Sequence, residues 1–141
     1  MAIYDGAGRA MAQVDPLRAR MAVRVSPVSL YSRVQVDRGE ECPSCHSVIN
    51  RIIQFGYGNT RLVDYRIGQP LEWGGNDVGE PGHRRVRVSG HAEPCPRCGN
   101  VTDTLYEVVI EHDRLVDVHP VGRIDQELAL FGPLGSRTEE Q

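Results

Sequence analysis

The chain has 141 residues with a formal charge of −3; 40% are hydrophobic, only 6% aromatic, and there are 15 Gly and 9 Pro. That length suits one domain burying roughly two thirds of its unfolded surface, and so lean a composition calls for a metal or a partner to support the core. No apolar run approaches the roughly 18 residues of a membrane span, and Met-Ala-Ile-Tyr-Asp-Gly lacks the basic start and apolar stretch of a secretory signal, so the expectation is a cytoplasmic protein with no membrane association. The acid excess argues against global polyanion binding, although it permits a local basic patch. All sixteen basic residues are Arg. A Schiff-base lysine and a P-loop lysine are therefore excluded, and the plain source of the bias is a GC-rich bacterial genome.

Residues 1–27 read as a flexible N-terminal arm, rich in Gly, Ala, Met and Arg without a sustained period. Asp15-Pro16 would start a short helix, cap and first turn in place, and any such helix stops before Pro27. From residue 28 the pattern turns strand-like, with Leu30, Val34 and Val36 on one parity. Ile53, Phe55 and Tyr57 share a face, as do Val63, Tyr65 and Ile67, and Gly58-Asn59 between them predicts a β-hairpin. Residues 85–88 alternate again. Thr104–Ile110 and Leu115–Val118 form a last pair, in which Val116 and Val118 are expected to meet Tyr106, Val108 and Ile110. Asp125–Phe131 predicts a helical turn ended by Gly132-Pro133, and residues 132–141 read as a solvated tail. The expected fold is mainly β: a small antiparallel sheet domain over residues 28–131.

All four cysteines fall in two pairs, Cys42-Pro43-Ser44-Cys45 and Cys95-Pro96-Arg97-Cys98. A two-residue gap lets both thiolates of a pair turn toward one tetrahedral ion, and zinc is well satisfied by four such ligands at about 2.3 Å. Proline after the first cysteine fixes φ and reduces the entropy lost in forming the turn. Gly99 and His46 follow the pairs at matching places, where a left-handed residue lets backbone N–H groups approach the sulfurs. A structural Cys₄ zinc site therefore ranks first. Disulfides fit an intracellular chain poorly, and a thioredoxin-like redox pair needs a βαβ setting that the strand pattern does not offer.

Cys42–His46 and Cys95–Gly99 together resemble the zinc-ribbon, or rubredoxin-like double-knuckle, family. The resemblance implies that each knuckle caps a β-hairpin and that one structural zinc on Cys42, Cys45, Cys95 and Cys98 joins the two hairpins. Forty-nine residues separate the pairs, more than a compact ribbon carries, so a long insertion is expected between them. Four thiolates with one Zn²⁺ take the formal charge from −3 to −5, and Arg97 inside the second knuckle is the expected compensating cation.

Trp73 to His83 holds four Gly, one Pro and the only Trp. A phosphate loop would lead into a helix, yet the next signal is a strand. The stretch reads as a structured turn with Trp73 folded onto the domain; as a binding patch it would use Trp73, Asn76 and Asp77. His83, His91, His112 and His119, with Asp77 and Glu93, are dispersed and show no ligand or catalytic spacing. His91-Ala92-Glu93-Pro94-Cys95-Pro96-Arg97-Cys98 contains the elements of a zinc deaminase, but abutting where an intervening segment is required, and that choice would leave Cys42 and Cys45 without a purpose. Arg84, Arg85 and Arg87 form the densest basic cluster, with Tyr57 or Tyr65 as stacking surfaces for a nucleic acid. The expectation is a non-enzymatic, zinc-stabilised protein-interaction module, an accessory subunit or an immunity-type protein, whose partner contacts include Trp73, Asn76, Asp77, Arg85 and Arg87. The alternative is a nucleic-acid-binding ribbon using Arg84, Arg85, Arg87 and Arg97.

Overall fold

The computed structural model describes residues 30–140; the expected arm and its Asp15-Pro16 helix start lie outside them. The protein is mainly β. In chain order its elements are β1 (Tyr31–Gln35), β2 (Glu40–Glu41), β3 (Val48–Ile49), β4 (Ile52–Phe55), β5 (Arg61–Arg66), β6 (Arg85–Ala92), β7 (Thr104–Glu111), β8 (Arg114–Arg123), a 3₁₀ turn (Ile124–Gln126), α1 (Glu127–Phe131) and β9 (Ser136–Glu139). Six strands run in the order β5-β1-β4-β6-β7-β8, and β9 joins β6 beside β4; β2 and β3 pair separately. The large sheet is mixed rather than antiparallel, because β1 and β5 run parallel.

The alternating residues fill one core. Val34, Ile53, Phe55, Tyr65, Val86, Val88, Val108 and Leu115 belong to a single buried cluster drawn from both halves of the sheet. The sheet therefore curls over its own face. The segment after β5 helps it do so by bonding to β8 and the turn before it: Gly68 N–H donates to Leu115 O at 2.6 Å and Leu71 N–H to Asp113 O at 2.8 Å. β7 is buried on both faces. Tyr106, Val108 and Ile110 enter the main core, while Phe131 is buried under the guanidinium of Arg87, 5.8 Å from its ring centre.

The Gly58-Asn59 hairpin does not form. Instead, β1 lies between β4 and β5, and the chain arches over its start. Ser32 holds the arch: its fully buried hydroxyl donates to Asn59 O at 2.7 Å and accepts from Val63 N–H at 2.9 Å. Gly58, with φ 71°, pairs with Val78 of the Gly-rich loop. The Gly-Asn dipeptide thus supplies a left-handed corner without returning the strand on itself.

The last hairpin forms with a shifted register. His112 and Asp113 both have positive φ, 49° and 63°, as a two-residue turn matched to strand twist requires. An irregularity between Val109 and Ile110 pairs Val108 with Val118 but Ile110 with Leu115. The extra residue turns Leu115 and Val118 inward together. Val116, expected to meet Ile110, is exposed.

The tail also departs from its expectation. Gly132 ends α1 at φ 76° and Gly135 reverses the chain at φ 74°, delivering Ser136–Glu139 onto Arg85–Val88. The sheet thus extends past the expected boundary at residue 131. The strand's polar sequence reads as solvated because its Glu side chain pairs with arginines instead of entering the apolar core.

Candidate metal centre

Each cysteine pair sits at the tip of a hairpin. Cys42–Cys45 lies between β2 and β3, which pair through Glu40–Ile49 and Glu41–Val48. Cys95–Cys98 lies between β6 and β7, which pair over most of their length. The expected insertion is therefore the body of the protein, since β4, β5 and β6 all lie between the knuckles.

The two tips fold alike. Cys42 N–H donates to Ser47 O at 2.9 Å and His46 N–H to Cys42 O at 2.8 Å; Cys95 N–H donates to Asn100 O at 3.0 Å and Gly99 N–H to Cys95 O at 2.8 Å. His46 and Gly99 are left-handed at φ 65° and 78°, as their positions required. The tip bonds turn both sulfurs of each pair outward to face the other pair. All four Sγ atoms lie within 4.8 Å of one another, with Cys42–Cys98 at 3.7 Å and Cys45–Cys95 at 3.9 Å. A tetrahedron of metal–sulfur bonds near 2.3 Å has edges of about 3.8 Å. No disulfide is present, and the spacing fits a four-coordinate ion.

Local polarity prepares the sulfurs for that role. Hydrogen bonds from Ser47 pull the Cys45 thiol down to about 6, and the N–H groups of Cys45 and Ser44 lower that of Cys42. At Cys98 the Asn100 N–H favours the thiolate, but burial and the neighbouring sulfurs outweigh it and push the thiol up to about 11. Four sulfurs this close cannot all carry unopposed charge. A divalent cation removes the conflict by displacing the protons.

The buried cation beside the first knuckle is one that sequence reading missed. Arg97 is exposed, and its contact with the cluster is its backbone N–H, 3.4 Å from Cys95 Sγ. Arg51 is buried, with its Nε 3.1 Å from Glu40 Oε2. Burial alone would lower its pKa, but Glu40 and the charge of Cys42 hold it raised. Tyr106 donates to Glu40 at 3.1 Å, which ties the guanidinium and its carboxylate to the main core. One signal was available: Arg51 shares the apolar parity of Ile53, Phe55 and Tyr57, where a basic residue needs a buried partner.

The remaining candidates are not brought together. Trp73 folds onto the domain, edge-on to Tyr57 with ring centres 5.8 Å apart. Asp77 accepts from Gly74 and Gly75 N–H at 2.9 Å, and Asn76 Nδ2–H donates to Thr60 at 3.2 Å, so this patch is largely occupied in shaping its own loop. His83 faces Glu140, Glu93 takes Arg33 and Gln54, and His119 sits between Glu107 and Asp117. Arg85 pairs with Glu111 and Glu139, and Arg87 with Glu107 and Glu139. Tyr57 and Tyr65 are buried. Arg85 and Arg87 are thus matched by glutamates on their own sheet face, with no exposed tyrosine from Tyr57 or Tyr65 to stack beside them; Arg84 makes no ion pair among the described residues.

Against protein-family models, curated proteins and solved structures, the chain gives no significant match.

Proposed function

We propose that this chain is a non-enzymatic, zinc-stabilised protein-interaction module of zinc-ribbon type. The observation that carries the reading is the gathering of four cysteine sulfurs from two hairpin tips within 4.8 Å of one another. A four-thiolate set of this shape takes zinc or iron. Zinc suits a structural role, because four protein ligands leave no position for water or substrate. Free thiols fit a reducing, cytoplasmic setting, and no helix among the described residues is long and apolar enough to cross a membrane.

Two observations favour a protein over a nucleic acid as partner. The Arg85 and Arg87 guanidiniums are already matched by glutamates, and the chain is acidic before the thiolate charge is added. An accessory subunit or an immunity-type inhibitor both accord with such a module. Elemental analysis of the purified protein should give one zinc per chain, and a tagged chain should retain a protein partner through nuclease and added salt. Absence of metal, or recovery of nucleic acid alone with steep salt dependence, would reject the reading.

A further inference from the structure

Where β4 leaves β6 at Gly90 and β9 joins it at Val88, α1 flanks the junction and a groove of about 610 Å³ opens. Its apolar rim is unusual. Leu30, Ile124, Leu128 and Leu134 are 67%, 40%, 68% and 84% exposed, and they are four of the nine large exposed hydrophobic residues described. All four line this groove. Single exposed leucines need no explanation, whereas four around one hollow mark a contact surface.

The groove also carries a carboxylate that no arginine matches among the described residues. Glu127 accepts from Ser89 Oγ at 2.7 Å on one oxygen, and His91 Nε2 lies 2.8 Å from the other. Across the same region Glu107, Glu111 and Glu139 each pair with Arg85 or Arg87, but Glu127 has no arginine partner among the described residues. No arginine lines the groove. A carboxylate offers about four lone-pair sites, so Glu127 can accept a further donor on each oxygen while keeping Ser89 and His91. An anionic ligand would meet Glu127 and Asp125, and a wholly apolar one would bury Glu127 without a countercharge.

We propose that this groove receives a segment of a partner protein in which an arginine or lysine is flanked by apolar residues, its cation on Glu127 and its neighbours on Leu30, Leu128 and Leu134. The assignment deepens the protein-binding reading above and rests on it. Pairing of the cation with a carboxylate held by two side chains supplies specificity, and contact of its neighbours with the leucine rim shields the pair from water.

The test titrates the ¹⁵N-labelled full chain with acetyl-Leu-Arg-Leu-amide and with the neutral citrulline isostere. Saturable shifts should centre on Ser89, His91, Glu127, Leu128 and Gly135, with affinity at least fivefold weaker for the citrulline peptide. Glu127→Gln retains an acceptor for Ser89 and should abolish that preference; Leu134→Ser, at a solvent-facing site, should weaken both peptides equally. No shifts, equal affinities, or a preference that survives Glu127→Gln would overturn the proposal. Methyl cross-peaks from residues 1–29 to Leu128 and Leu134 in the free protein would also overturn it, by assigning the groove to the chain's own preceding segment. A nuclease-resistant protein partner held equally by wild type and Glu127→Gln would reject this surface and spare the binding-module reading. Failure to retain any protein partner would reject that reading itself.

Discussion

Chelating the metal from the four-cysteine centre, with reductant present, should unfold the knuckles while the large sheet stands. The two regions have separate cores: fourteen buried residues cluster under the sheet, whereas the first knuckle has only Cys42 and Ile49 packed with Cys95. Ten residues from Glu40 to Ile49 are ordered there, at a cost of about 1–2 kcal/mol each. Burying Ile49 returns about 1.5–3 kcal/mol, and a two-rung hairpin adds little. The deficit of roughly 7–18 kcal/mol spans the roughly 10–16 kcal/mol that a structural zinc supplies. Hydrogen exchange reads the result directly. The amides of Cys42, His46, Cys95 and Gly99 should exchange at least ~10³-fold faster after chelation, a loss of about 4 kcal/mol of local protection. Those of Val86, Val88, Val108 and Ile110 should change by less than about tenfold. Simultaneous release of both sets would refute the two-core account, and unchanged knuckle exchange would refute the metal's role.

Further outcomes follow from packing and charge. A Cβ at Gly90 would lie 2.5 Å from Ile53 Cγ2 and 3.3 Å from Val108 Cγ2, so Gly90→Ala should cost about 1–3 kcal/mol, and adding Ile53→Val should recover part of it in thermal melts. Leu115→Ala should cost about 2–5 kcal/mol and Val116→Ala less than about 0.5 kcal/mol; the reverse order would contradict the shifted register. Arg33 grips Asp64 through Nε–Oδ1 at 2.8 Å and Nη2–Oδ2 at 3.2 Å, which holds the carboxyl below its usual value of 3.8. A depressed folded-state pKa contributes stability above the unfolded value, and that contribution is lost as pH falls through the folded one. Asp64→Asn should therefore destabilise by about 0.2–1 kcal/mol near pH 7, with the difference fading in denaturant titrations as pH falls below the usual carboxyl value of 3.8.

Local signals were legible in the sequence wherever a short pattern settles its own geometry. The two knuckles, the left-handed His46 and Gly99, and the helical turn ending at Gly132 all stand where spacing placed them. Strand parity at Ile53, Phe55, Tyr106 and Val108 also became burial. Pairing between distant strands was not legible. Nothing local to Gly58-Asn59 shows that β1 will lie between the two flanking runs, because that choice depends on Ser32 seating the arch from 27 residues away. Arg85 and Arg87 read as a basic patch because their glutamate partners come from β7 and β9. Arg51 was overlooked because a buried cation is recognised by its partner, Glu40, which Tyr106 also holds, rather than by its neighbours in sequence.

X-ray absorption at the metal edge of the purified full-length protein tests the central claim most directly. One zinc per chain with four sulfur neighbours at about 2.3 Å and no oxygen or nitrogen neighbour is the predicted result. A spectrum with nitrogen or oxygen in the shell, another metal, or a metal-free protein with four reduced thiols would contradict the closed zinc centre.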